Sequence, residues 1–110
     1  MILELENPAD FQEILANNKF VLIDFYADWC EPCKWLDEIL KEVDLQISIP
    51  LLVLKIDSEQ YLELVSQHEI RSVPVLLFMV DGKVLWRMNG FLSAHELVDK
   101  FETISRGTVE

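Results

Sequence analysis

The sequence predicts an α/β layered domain with parallel strands first and an antiparallel hairpin last. Three observations predict it. Short, nearly continuous apolar runs, of the kind buried on both faces of a sheet, alternate with segments of helical period: Val21 to Ala27, Leu51 to Ile56 and Pro74 to Val80. The third run leads into Asp81-Gly82, a strong tight-turn signal, and then into Val84 to Met88, so the last two strands pair as a hairpin. The resulting order, β-α-β-α-β-α-β-β-α, is that of strands and covering helices packed in layers.

Each element has a local reason. Asn7-Pro8 reads as an N-cap followed by proline in the first helical position, and Phe11, Ile14 and Leu15 follow at helical spacing. The strand Val21 to Ala27 is interrupted once, by Asp24. Glu31 to about Leu45 is helical, with Cys33, Leu36, Leu40 and Val43 on one face. Ser58 to His68 reads as a short helix with Leu62 and Val65 inward. Pro74 is allowed at the first position of its strand. Ser93-Ala94-His95-Glu96 has the form of a capping box, and it starts a last helix with Ala94, Leu97, Val98, Phe101 and Ile104 inward.

A chain of 110 residues, 51% hydrophobic, suits one compact domain over residues 1–110 with a core that needs no staples. Nine Lys+Arg against 20 Asp+Glu give a net charge of −11. Such a surface repels phosphate backbones and anionic membranes, so neither nucleic acid nor a membrane is an expected partner. The opening Met1-Ile2-Leu3-Glu4-Leu5-Glu6 has no basic start, and Val73 to Val80, the longest apolar run, is far shorter than the roughly 20 residues of a membrane helix. A cytoplasmic monomer is the expectation.

Cys30 and Cys33 are the only cysteines. In a reducing compartment two cysteines make an improbable structural staple, and so small a loop would contribute only about 2 kcal/mol. Chemistry explains the pair better. Cys30 falls where a strand exits into a helix, and there the helix dipole and unpaired N–H groups favour the thiolate, which is the nucleophile. Pro32 fits the first turn, where its missing N–H costs little. Cys33 falls on the inward face of the helix, which shields it and makes it the second to act. Other readings compete: a zinc site of Cys30, Cys33, His68 and His95, whose spacing fits no finger; inert buried thiols; and a catalytically dead scaffold.

The segment Val21-Leu22-Ile23-Asp24-Phe25-Tyr26-Ala27-Asp28-Trp29-Cys30-Glu31-Pro32-Cys33-Lys34 closely resembles the thioredoxin active-site segment, V-D-F-W-A-x-W-C-G-P-C-K. Ile70-Arg71-Ser72-Val73-Pro74 resembles the family's I-R-G-I-P, Phe78 to Val84 its hairpin, and Gly90 the glycine after its fifth strand. The resemblance runs in order over nearly the whole chain. It implies the thioredoxin fold, a five-stranded mixed sheet flanked by four helices. It also implies a mechanism: Cys30 attacks a target disulfide, and Cys33 then attacks Cys30 and releases the reduced target. Re-reduction would come from a thioredoxin reductase, typically an NADPH-dependent flavoprotein, and the protein itself would carry no cofactor and no metal.

Further residues take roles from the same resemblance. A carboxylate within an apolar strand has its pKa raised by burial and can exchange a proton near neutral pH. The resemblance assigns Asp24 that role toward Cys33, through water; the competing reading has Asp24 facing solvent at a strand edge. Base rates make Pro74 trans, whereas the resemblance implies a cis proline facing the cysteines and presenting the Val73 backbone to a target strand. Trp29, Glu31, Pro32, Ser72, Val73, Gly90 and Phe91 would form the contact surface for disulfide-containing protein substrates. Trp35 falls off the apolar face of its helix and either packs over a neighbouring loop or offers a second exposed contact.

The sequence also departs from the family pattern. Glu31 replaces the glycine between the cysteines, and a carboxylate beside a developing thiolate disfavours it, against the helix dipole and Lys34. A raised Cys30 pKa and an altered redox potential are expected. Ser72 stands where glycine is common, and Glu38 where a helix-kinking proline is. The lysine often found near the buried aspartate is Val53 here, and Lys55 lies two residues on, on the same strand face. The leading function is reduction of protein disulfides. A disulfide oxidase or isomerase, and a binding or chaperone-like subunit, are the alternatives.

Overall fold

The computed structural model describes residues 1–108. Its elements are β1 (Ile2–Glu4), a 3-10 turn (Pro8–Asp10), α1 (Phe11–Asn17), β2 (Phe20–Tyr26), α2 (Glu31–Gln46), β3 (Leu51–Asp57), α3 (Leu62–Gln67), β4 (Val75–Val80), β5 (Lys83–Asn89) and α4 (Ala94–Arg106). The strands form one mixed sheet in the order β1-β3-β2-β4-β5. β3 runs parallel to both β1 and β2, while β4 is antiparallel to β2 and to β5. The hairpin turn has Asp81 at φ 51° and Gly82 at φ 80°. Two successive positive angles are what a two-residue turn of this hand requires, and Asp-Gly supplies them at low cost.

Strand periodicity divides the core. On β2, Val21, Ile23 and Phe25 face the α1/α3 side with Leu52, Leu54, Ile56, Leu77 and Phe11. Phe20 and Leu22 face the other side with Leu36, Leu40, Val53, Leu76, Phe78, Leu97 and Phe101. Asp24 continues this second row, so a carboxylate occupies a position where the pattern calls for an apolar side chain. The face toward α2 and α4 also holds an aromatic stack, with Phe101 4.6 Å from Phe78 and edge-on to Trp86 at 5.6 Å.

The caps follow the sequence reading. Asn7 Oδ1 accepts from the Ala9 N–H, and the capping box at Ser93 and Glu96 is complete in both directions. One assignment is corrected. The helix expected from Ser58 is only Leu62–Gln67. Leu62 opens it and is 69% exposed, while Leu64 is the buried residue. Val65, the other residue expected inward, does pack partly buried against the core, whereas Leu62 stands at the first helical position and faces solvent.

Candidate functional site

The site lies where β2 ends and α2 begins. Cys30 is the N-cap of α2, in extended conformation, and Pro32 sits in the first turn. The Cys33 N–H donates to Cys30 Sγ at 3.2 Å. Cys30 and Cys33 are joined as a disulfide, with Cα atoms 5.3 Å apart. A sulfur at the N-cap of a 16-residue helix receives a backbone donor and the positive end of the helix dipole, the setting that stabilises a thiolate once the bond is reduced. Both cysteines are 3% exposed in this oxidised form. The sequence reading expected shielding to single out Cys33; in this oxidised form it does not, and the two differ in position, with Cys30 at the cap and Cys33 a turn deeper.

The loop before β4 closes over the sulfurs. The Val73–Pro74 peptide is cis. Val73 packs against the cysteine cluster, with its carbonyl oxygen 3.8 Å from Cys30 Sγ. Gly90, at φ 111°, donates its N–H to the Pro74 carbonyl at 2.8 Å, and that backbone angle favours glycine. Ser72 is exposed. Trp29 is 67% exposed, and its Nε1–H donates to Glu59 Oε2 at 2.6 Å. Phe91 is half-buried and meets Trp35 edge-on at 6.2 Å, while Trp35 remains 57% exposed. Trp35 thus both packs over a loop and offers a face to solvent. Glu31 is exposed and ion-paired with Lys34 at 3.2 Å.

Asp24 lies beneath this surface. It is fully buried, and among the described residues neither carboxylate oxygen has a hydrogen-bond partner. Burial pushes its pKa from 3.8 to about 7; Lys55 opposes the rise, and Asp37 and Glu4 add to it. Lys55 stands beside it in the β2–β3 register and ion-pairs with Asp37 Oδ1 at 2.6 Å. A cleft of about 280 Å³ is lined by Tyr26, Ala27, Asp28, Cys33, Lys34, Asp37 and Lys55. The two histidines lie elsewhere. His68 packs against Phe11 and Phe25, with Nδ1 2.9 Å from the Leu64 carbonyl oxygen, and His95 is in the first turn of α4.

Sequence reasoning brought together Trp29, Cys30, Cys33, Val73, Pro74 and Gly90, and it singled out Asp24 and Lys55. It missed Glu59, which anchors Trp29, and Asp37. Asp37 follows Cys33 by four residues, the spacing that puts two helical side chains on one face, so a signal for it existed. Glu59 had none, because its contact depends on how the β3–α3 loop returns.

A cysteine pair at a helix N-terminus, faced by a cis-proline loop on a mixed sheet, defines a thiol–disulfide exchange site. The family model described as Thioredoxin matches residues 2–103. The chain belongs to the thioredoxin family. It is 41% identical over 93 residues to the thioredoxin of Mycoplasmoides gallisepticum, covering 84% of this chain and 92% of that one. It is 40% identical over 93 residues to the chloroplastic thioredoxin Y2 of Arabidopsis thaliana, spanning 84% of this chain but 56% of that longer one. A mutant thioredoxin from Halobacterium salinarum superposes with a TM-score of 0.84 at 30% identity, covering 93% of this chain and 88% of that chain. Family membership and the paired cysteines make the chain a thioredoxin-type disulfide reductase.

Proposed function

We propose that Cys30 is the attacking and Cys33 the resolving nucleophile in reduction of disulfide-containing proteins. The Cys30 thiolate attacks one sulfur of the target disulfide, and the other target sulfur leaves with the bonding electrons. Cys33 then gives up its proton and attacks Cys30. The Cys30–target bond breaks, the second target sulfur leaves as a thiolate, and the two electrons of the dithiol have passed to the target. Asp24 serves as the proton carrier for Cys33. With its pKa near 7 it is partly charged at neutral pH, so it can both accept and return the proton.

The observation that carries this reading is Cys30 at the N-cap of α2, receiving the Cys33 N–H and faced by the Val73 carbonyl. A target strand pairs with the Val73 backbone ahead of Pro74. Trp29, Glu31, Pro32, Ser72, Gly90 and Phe91 bound that groove. A thioredoxin reductase returns the electrons, and the protein works as a cytoplasmic monomer in redox homeostasis, without nucleic acid or membrane as partner. Insulin reduction in the presence of dithiothreitol tests the nucleophile. Cys30→Ser abolishes the stimulation, and Cys33→Ser accumulates a mixed disulfide through Cys30. Stimulation undiminished in Cys30→Ser would overturn the reading and favour a binding role.

A further inference from the structure

Three charged positions lie in one row across the sheet. In register, Glu4 of β1 stands beside Lys55 of β3, and Lys55 stands beside Asp24 of β2. Asp37 reaches this row from α2. On the remaining side β4 presents Leu76, which is apolar. Among the described residues Asp24 is therefore faced by one cation, Lys55, and by two further carboxylates, Asp37 and Glu4.

That cation is already engaged. Lys55 Nζ is 2.6 Å from Asp37 Oδ1 and lies over the Tyr26 ring, 4.6 Å from its centroid. The Tyr26 hydroxyl donates in turn to Glu4 Oε2 at 2.6 Å. Glu4 thus has a donor, Asp37 has the ammonium, and Asp24 has neither. The Lys55 side chain is 19% exposed and that of Asp37 36%, so their attraction is only partly screened by solvent. Both line the cleft that reaches Cys33, whereas Asp24 does not.

We infer that Asp37 is a positioning residue for the exchange reaction: it holds the Lys55 ammonium at the cleft wall and so withholds from Asp24 the one cation that could pair with it. Left unpaired, a buried carboxylate stays a proton carrier near neutral pH. Paired with Lys55 it would have a lowered proton affinity, so it would take the Cys33 proton less readily and could not hold it for return. The inference rests on Asp24 being the proton carrier for Cys33.

The experiment follows the Asp24 carboxyl by carbon NMR across pH in the oxidised protein. In parallel it follows the pH profile of single-turnover disulfide reduction by the reduced protein. Asp37→Asn, which keeps side-chain shape, moves the Asp24 midpoint downward by about one pH unit or more, the size expected when an opposite charge comes within 4–6 Å. Lys55→Met moves it upward. In Asp37→Asn/Lys55→Met the downward step largely disappears, because it depends on the released ammonium. An unmoved midpoint in Asp37→Asn overturns the inference. So does a downward step of the same size in the Lys55→Met background, which would mean that the Asp37 charge acts directly and positions nothing. Asp24→Asn separates the two readings. If it leaves the reduction profile unaltered, Asp24 does not carry the proton and the parent reading fails. If it removes the inflection while Asp37→Asn leaves that inflection in place, only the role of Asp37 fails.

Discussion

The buried carboxyl of Asp24 makes stability fall as pH rises, and the size of the fall can be worked from the structure. Asp24 is fully buried, and burial moves its pKa from 3.8 to about 7. Between those values the folded protein holds a proton on Asp24 and the unfolded chain does not. The unfolded state binds fewer protons, so stability drops with each step upward in pH. The contribution is fully present below 3.8 and is lost by the time pH passes the folded value near 7. At 1.36 kcal/mol per decade, a gap of about three decades amounts to about 4 kcal/mol. Between pH 5 and 8 about two of those decades are crossed, or about 3 kcal/mol. Urea unfolding of the oxidised protein and of Asp24→Asn across that range reads the quantity directly. The uncharged amide adds a constant offset, and the other carboxylates, common to both chains, largely cancel. The difference between variant and parent should therefore grow by about 3 kcal/mol in favour of the variant as pH rises. A difference that stays constant within about 0.5 kcal/mol refutes the reasoning, because Asp24 would then not titrate in this window.

Other consequences are simpler. Glu31→Gly lowers the Cys30 pKa in the reduced protein, read from thiolate absorbance, by less than about one pH unit, because Glu31 is exposed and already paired with Lys34; equal values would sink the idea. Phe101→Ala destabilises by about 3–5 kcal/mol in urea unfolding, since Phe101 is fully buried between Phe78 and Trp86. Ser93→Ala costs about 1 kcal/mol in the same assay, because Ser93 Oγ accepts the Glu96 N–H and the alanine leaves that donor to water.

The fold was legible where one physical rule dominated. Runs buried on both faces marked β2, β3 and β4, and Asp81-Gly82 marked the turn, because in each case few conformations satisfy the residues present. The α3 region was less legible. Only six residues are helical there, too few turns for periodicity to fix which face is buried, and Leu62 was misassigned for that reason. In the site, the cysteines and Asp24 stood out as polar or reactive groups in apolar surroundings. Spacing alone gave no cis geometry at Pro74. Glu59 and Asp37 act across 30 and 18 residues of chain, on Trp29 and Lys55, and contacts of that range follow from the sheet order and helix placement rather than from local pattern.

Lys55 and Asp37 act as one unit. Two residues along a strand is about 7 Å, with the side chain kept on the same face. A lysine at the position of Val53 would stand in register with Leu22, a row below Asp24; Lys55 stands level with Asp24 itself. Moving the cation level with a buried carboxylate strengthens their attraction, and left unopposed that attraction would hold Asp24 ionised at neutral pH. A carboxylate from α2, four residues beyond Cys33, offsets it by taking the ammonium to the cleft wall. A chain carrying Lys55 without Asp37 would keep the fold and the cysteine pair but lose the proton carrier near pH 7. Asp37 without Lys55 would place a further negative charge beside Asp24 and drive its pKa higher still. With Lys55 level with it, Asp24 stays both buried and able to titrate where the exchange takes place because Asp37 holds the ammonium away.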